Sequence, residues 1–363
     1  MTTASSDRVV RTEASLDALR PDLREFTASV DAAVLRPADQ SVLDWADRAR
    51  IALRVALVNE HQEYADEIAR ELDSLAGDGA ADVIRDTDRW TELPEPLHAL
   101  LAHCEQVALD PVDASAAEIA VLRAHGFTAA QVVAASQVVA YVSYRVRLLL
   151  GVRLVEAAGD GPVSGPVNSI EAGATADGCE LPSPAEAFPV LRWVPWVDPV
   201  PEPEKPAGAD EKTPAKWSPF YLTLLHDPLV LAERTALYDA IMTGAGSLDR
   251  ADRELAALAT SLITGCEYCA GVHGRRQVQL SKDQITSVAL AEAGPAAVAD
   301  PRQRAIVDAV GALAPTPAAL GATDIRRLHA VGLSADDVRD LVAVAAMFAW
   351  ANRLMMTLGN PAA

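Results

Sequence analysis

Residues Glu118 to Leu150, EIAVLRAHGFTAAQVVAASQVVAYVSYRVRLLL, fall without a gap on Asp324 to Met356, DIRRLHAVGLSADDVRDLVAVAAMFAWANRLMM, when the chain is shifted by 206 residues. Leu122 then meets Leu328, Gly126 meets Gly332, Val132 meets Val338 and Arg147 meets Arg353. Each copy reads as a short helix, a glycine turn and a long capped helix, so the chain is a tandem repeat of one helical unit. Thr128 with Gln131 has capping-box spacing at the start of the first long helix, which is predicted over Ala129 to Leu150 with Gly151 as its stop. The second long helix is predicted over Ala335 to Leu358.

Outward from these copies, apolar residues keep recurring at helical spacing. Leu16, Leu19, Leu23 and Phe26 predict a helix from Leu16 to about Ala33. Ser41 is placed to cap the next, whose apolar face is Trp45, Ala49, Ala52, Leu53 and Ala56. Further helices are expected over Leu97 to Val107 and Ala116 to Ala124, and Asp227-Pro228 reads as a cap followed by proline at the first helical position. Strand signals are absent throughout, so the expected fold class is all-α, two tandem helical repeats.

Composition divides the 363 residues into a helical unit over 1–156, a flexible linker over 157–187 rich in Gly, Pro, Ala and Ser, and a second unit over 188–363. That unit opens with a Pro-rich arm, Phe188 to Trp217, whose Trp193, Trp196 and Trp217 suit anchors laid on an adjacent chain or repeat. A net charge of −20 argues against nucleic-acid partners, which need clustered Lys and Arg. No signal-peptide core or membrane-length apolar run is seen, so a cytoplasmic protein with no membrane partner is expected. Cys104 and Cys179 stand outside any motif, as suits a reducing compartment. Val338, Leu341, Val342, Ala345, Phe348 and Met355 cover more than one face of the last helix, which predicts a homo-oligomer, a dimer or a trimer.

Chemistry concentrates in Glu254 to His273, ELAALATSLITGCEYCAGVH. Cys266, Cys269 and His273 stand at i, i+3 and i+7 and so project from one helix face. Gly265 should interrupt the preceding helix, which puts Cys266 in the first turn of the next, where free N–H groups favour a thiolate. Glu254 lies near the start of the preceding apolar helix, so a helical hairpin could return its carboxylate to His273. A structural zinc site would need a fourth ligand, and no second CxxC or HxxxH occurs. Covalent haem needs the histidine directly after the second cysteine, whereas Ala270, Gly271 and Val272 intervene. Two cysteines that merely pack would sit poorly among Glu267, Tyr268 and Gly271. Redox chemistry is the best single account, and no metal or organic cofactor is called for.

The run Glu254, eleven residues, Cys266-x-x-Cys269, three residues, His273 resembles the active-site motif of the alkylhydroperoxidase D-like proteins of the carboxymuconolactone decarboxylase family. From Phe188 to Gly359 the chain also resembles that family's peroxidase-related branch. The resemblance implies two all-helical repeats of the alkylhydroperoxidase D type. It also implies Cys269 as the peroxide-attacking thiolate, Cys266 as the resolving thiol, and Glu254 with His273 as a proton relay. Tyr268 sits where some members have His and others Tyr. Nearness to the helix end favours Cys266 as the nucleophile, while i, i+4 pairing with His273 favours Cys269, and the assignment goes to Cys269.

In the first copy, NEHQEYADEIAR laid near GCEYCAGVHGRR puts Gln62, Ala65 and Ala69 in place of Cys266, Cys269 and His273, so that copy should have lost the thiol chemistry. Glu60, His61 and Tyr64 leave room for a thiol-free acid–base site there. The expected activity is reduction of hydrogen peroxide or an organic hydroperoxide, with an external dithiol as reducing partner. The alternatives are a disulfide oxidoreductase and a non-catalytic redox sensor.

Overall fold

Pro21, Pro228 and Pro301 each open a helix at the position whose missing N–H costs nothing, and they frame both halves of the computed structural model, which describes residues 16–158, 181–203 and 217–362. The N-terminal half runs through α1 (Pro21–Leu35), α2 (Trp45–Val58), α3 (Gln62–Ala76), α4 (Ala80–Arg85), α5 (Glu95–Leu109), α6 (Ala116–Ala124) and α7 (Ala129–Ala158). A single turn, α8 (Pro184–Ala187), and β1 (Arg192–Pro195) lead on to α9 (Pro219–Leu224), α10 (Pro228–Met242), α11 (Arg250–Ile263) and α12 (Glu267–Ser281). Then come α13 (Ile285–Ala293), α14 (Pro301–Leu313), α15 (Ala322–Ala330), α16 (Ala335–Thr357) and β2 (Gly359–Ala362). The fold is all-α apart from one antiparallel pair, Arg192–Pro195 with Gly359–Ala362. Among the described residues no helix is long and apolar enough to cross a membrane.

The strand pair corrects the expectation that strands would be absent. Each strand is four residues long and contains a proline, too short for an alternating pattern to register. The cap of α2 is Asp44, whose carboxylate accepts from the Asp47 N–H, and not Ser41. Thr128 and Gln131 form the expected reciprocal cap at the start of α7. Gly151, however, does not stop that helix, which continues to Ala158. A Cβ at Gly151 would overlap the Val342 side chain, so the glycine is there to let α7 and α16 approach.

The repeat is a property of the backbone. Gly126 and Gly332 both take positive φ, +92° and +90°, between the paired helices α6–α7 and α15–α16. In the hairpins α2–α3 and α11–α12 the connections are again alike, with Glu60 at φ +55° and Gly265 at +77°. Matching these two turns slides the copies by one residue from the register suggested by the shared Glu-Tyr. His61, not Gln62, occupies the place of Cys266, Tyr64 that of Cys269 and Ile68 that of His273. The reason is that turn conformation, and not the identity of two neighbouring residues, fixes where the second helix begins.

The two halves meet along α7 and α16, whose apolar faces cover each other within one chain. Trp350 donates its indole N–H to Gln137 Oε1 at 3.0 Å and stacks edge-on against Tyr141 at 5.3 Å. Residues of α16 expected to need a neighbouring chain, among them Val338, Leu341, Val342 and Phe348, are therefore buried already. Crossed arginines tie the junction: Arg147 of α7 binds the carbonyls of Leu313, Ala314 and Pro315 at the end of α14, and Arg353 of α16 binds that of Ala108 in α5.

Within the chain, the described part of the arm lies on its own repeat. Trp193 is buried and donates to the Met355 carbonyl at 2.9 Å, and Phe188 packs where a Cβ on Gly274 would overlap its ring. Most of the expected linker, with Cys179, lies outside the described residues. Gly274→Val should displace Phe188 from α12 and expose the arm, which limited proteolysis would read as faster cleavage between Pro189 and Trp196. Unchanged cleavage would mean the glycine has no docking role.

Candidate active site

The hairpin α11–α12 turns at Gly265, whose positive φ costs a glycine little, and Cys266 then caps α12. The Cys266 N–H donates to the Ser261 carbonyl at 2.8 Å and its carbonyl accepts from Ala270 at 2.9 Å, so the start of the motif is fixed to α11 from below and to α12 from above. Cys269 and His273 follow on the next turns of the same helix. Both cysteines are reduced and buried.

Glu254 comes from α11 with its side chain fully buried. Its Oε2 accepts from His273 Nδ1 at 2.6 Å, and its Oε1 accepts from Arg250 at 3.1 Å, with Arg276 farther off at 3.9 Å. Burial alone would push the Glu254 carboxyl up, but the His273 hydrogen bond and charge, with Arg250 behind them, hold it below the usual carboxylate range. A carboxyl depressed in this way stays ionised as pH falls past its ordinary value near 4.3, and its support of His273 is lost only below that. With Nδ1 committed to Glu254, His273 has Nε2 left for the solvent side. Phe348 of α16 sets the ring plane, edge to face at 4.5 Å.

His273 and Cys269 line one cavity of about 400 Å³, walled by Tyr221, Tyr238 and Phe348 and floored by Arg234. Cys266 does not reach it. It lines a second cavity of about 360 Å³ between Val112, Trp193, Trp196 and Met356. Tyr268 borders both cavities, and its hydroxyl makes no hydrogen bond to Glu254 or His273, so among the described residues the relay pair is Glu254 and His273 without it. Burial, then charge on Cys269, pushes its phenol up.

A hydrogen bond with Cys266, then burial, then charge on Cys266 push the Cys269 thiol well above its ordinary range, while Arg234 pulls it back. Removing both protons from so small and buried a space is what is disfavoured, because two adjacent thiolates repel.

Arg234, Tyr238 and Phe348 were missed from the sequence, since they sit on α10 and α16 and meet the motif only through packing. Arg250 was within reach, four residues before Glu254 on the same helix face. In the N-terminal counterpart His61 caps α3, its Nδ1 accepting from the Tyr64 N–H at 3.3 Å, and burial followed by the charge of Arg153 pushes its pKa down. No carboxylate hydrogen-bonds to His61 among the described residues, so Glu60 and His61 do not form a relay. The space matching the Cys269 cavity is filled: Tyr64 and Tyr141 are buried there with Arg145, and Tyr141 donates to Asp31 at 2.6 Å.

The model of the carboxymuconolactone decarboxylase family matches residues 228–310. Among solved structures the chain is similar to an uncharacterized peroxidase-related protein from Silicibacter sp. TM1040, at 28% identity over 39% of this chain and 74% of that one, with a TM-score of 0.35. No curated protein matches the chain. The segment from α10 into α14 that brings Glu254, Cys266, Cys269 and His273 together is thus the segment that matches the carboxymuconolactone decarboxylase family.

Proposed function

We propose that the C-terminal half is a thiol peroxidase that reduces hydrogen peroxide or an organic hydroperoxide. The observation that carries this reading is that Cys269 and the Glu254-backed His273 open on one cavity, while Cys266 meets another. Cys269 thiolate attacks the distal peroxide oxygen, the O–O bond breaks, and the alkoxide leaves with a proton from His273 Nε2. Cys269 becomes a sulfenic acid. Cys266 displaces water from it to form the disulfide, and an external dithiol, oxidised in turn, restores both thiols. The cavity beside Cys266 gives that reductant its own approach, so reduction does not compete with peroxide for one entrance. The same feature favours one second reading, a disulfide oxidoreductase whose thiol partner enters between Trp193 and Trp196.

Stopped-flow measurement of hydroperoxide consumption by the reduced protein, with and without a dithiol, separates the two. The peroxidase reading expects a burst of one equivalent without dithiol and continuous turnover with it; no burst sinks it. Glu254→Gln should keep the fold but lower turnover roughly 10²-fold, because a neutral partner no longer stabilises the imidazolium that donates the proton. Turnover within twofold of the parent would remove Glu254 from the relay.

A further inference from the structure

Arg234 is a buried cation with no counterion. It is 4% exposed, its Nε has no hydrogen-bond partner, and no carboxylate forms an ion pair with it among the described residues. Its guanidinium lies 5.7 Å from the centre of the Trp350 ring and borders the Cys269 cavity. Burying a charge is expensive unless something compensates it. Burial indeed pulls the Arg234 pKa down, and the groups that push back are Tyr221, Tyr238 and Cys269. Of these the cysteine has the lowest ordinary pKa.

The N-terminal half supplies an internal comparison. α1 and α10 are both fifteen residues long and both open on proline, which sets Thr27 in the place of Arg234. Where Tyr64 replaces Cys269, the arginine is gone, and Thr27 shares a hydrogen bond with Tyr144 at 3.0 Å instead. That half does bury a guanidinium, Arg145, but there burial is outweighed by Tyr141 and then Asp31, which push its pKa up, whereas burial wins at Arg234. The other buried guanidiniums of that half, Arg48 and Arg147, are satisfied by backbone carbonyls, which Arg234 is not among the described residues.

We propose that Arg234 is the counter-charge of the Cys269 thiolate, and that it directs ionisation of the thiol pair to Cys269 over Cys266. This deepens the peroxidase reading by naming what selects its nucleophile, and it rests on that reading only for the reaction the thiolate then performs. The Cys269 S–H bond breaks, the electron pair stays on sulfur beside Arg234, and the proton passes to His273 Nε2 while Nδ1–H stays on Glu254.

The other charged and titratable groups facing Cys269 do not replace it. Cys266 on α12 raises the cost of a negative charge on Cys269, and Tyr268 of α12, Tyr238 and Asp239 of α10 and Tyr221 of α9, which line the same cavity, bring no positive charge to it. Arg276 is half exposed and turned toward Glu254, and His273 is already paired with that carboxylate. From α16 come only Phe348, Ala351 and Met355.

The test is alkylation of the reduced full-length protein with iodoacetamide across pH, with each cysteine read by mass spectrometry. Arg234→Met should slow alkylation of Cys269 roughly tenfold at pH 7 and move its profile up by about one pH unit, while Arg234→Lys restores most of the rate. Arg234→Gln serves if the methionine variant is poorly folded. A Cys269 profile that is unchanged in either folded variant overturns the proposal, as does preferential alkylation of Cys266 in the parent protein. Alkylation needs no peroxide, so the two readings fail separately: a shifted profile in a protein that consumes no hydroperoxide supports Arg234 and removes the peroxidase.

Discussion

Cys269→Ser is expected to lower hydroperoxide turnover by roughly 10³-fold or more, because serine is a far weaker acid and nucleophile than cysteine and the cavity that holds His273 contains no other thiol. Cys266→Ser should behave differently. It leaves the attacking sulfur in place and removes only the group that resolves the sulfenic acid, so one equivalent of peroxide is consumed and the reaction then stops. The oxidised Cys269 should be trapped by dimedone and identified by mass spectrometry. The contrast follows from geometry: Cys269 shares its cavity with the proton donor, whereas Cys266 caps α12 and faces Trp193 and Trp196. Dimedone on Cys266 in an active Cys269→Ser protein would reverse the assignment. Unchanged turnover in both variants would end the peroxidase reading.

How much of this site could be read from the chain depends on how far each contact reaches. Cys266, Cys269 and His273 are set by helical spacing alone, and Glu254 needs one further step, the hairpin that Gly265 marks. Arg234 needs two tertiary events, the docking of α10 against α16 and of α16 against α11, and no local pattern encodes either. Trp350, over which its charge lies, comes from the long helix of the second copy. The register of the first copy was hidden for a related reason. Glu60 takes the left-handed conformation that glycine holds in the second copy, and a glutamate there gives no signal of a turn. Gly151 misled in the opposite sense, resembling a helix stop when its role is to admit Val342. The apolar stripe of α16 was legible, but a stripe does not say whether another chain or the other half of the same chain covers it.

Arg147→Met should destabilise the whole chain by about 3–5 kcal/mol, more than most single substitutions. Arg147 is fully buried and donates to the carbonyls of Leu313, Ala314 and Pro315, to Asn59 Oδ1 and to the Thr316 hydroxyl. Methionine matches its length but satisfies none of them. Thr316 keeps Arg353 as a partner, the Ser143 carbonyl keeps its helical bond and Pro315 is exposed to water, so the groups left bare are the Leu313 and Ala314 carbonyls and the Asn59 amide oxygen. Each costs about 1–3 kcal/mol when stranded away from water. Two effects oppose the loss. Burial and the nearby Arg353 both pull the Arg147 pKa down, so removing the charge relieves desolvation and repulsion. Three stranded acceptors outweigh that relief, and the sign stays destabilising. Arg353→Met should cost less, since across the halves its guanidinium reaches only the Ala108 carbonyl, and the double variant should be more damaging than the sum, because each single variant already gains the relief of repulsion and only the double strips Thr316 of both guanidiniums. Because α7 and α16 bury each other, loss of the N-terminal anchor should reach Phe348 and through it His273, so activity and helicity should be lost in one urea transition. A loss below about 1 kcal/mol, or activity that outlasts the helical signal of the N-terminal half, would show that the two halves stand independently.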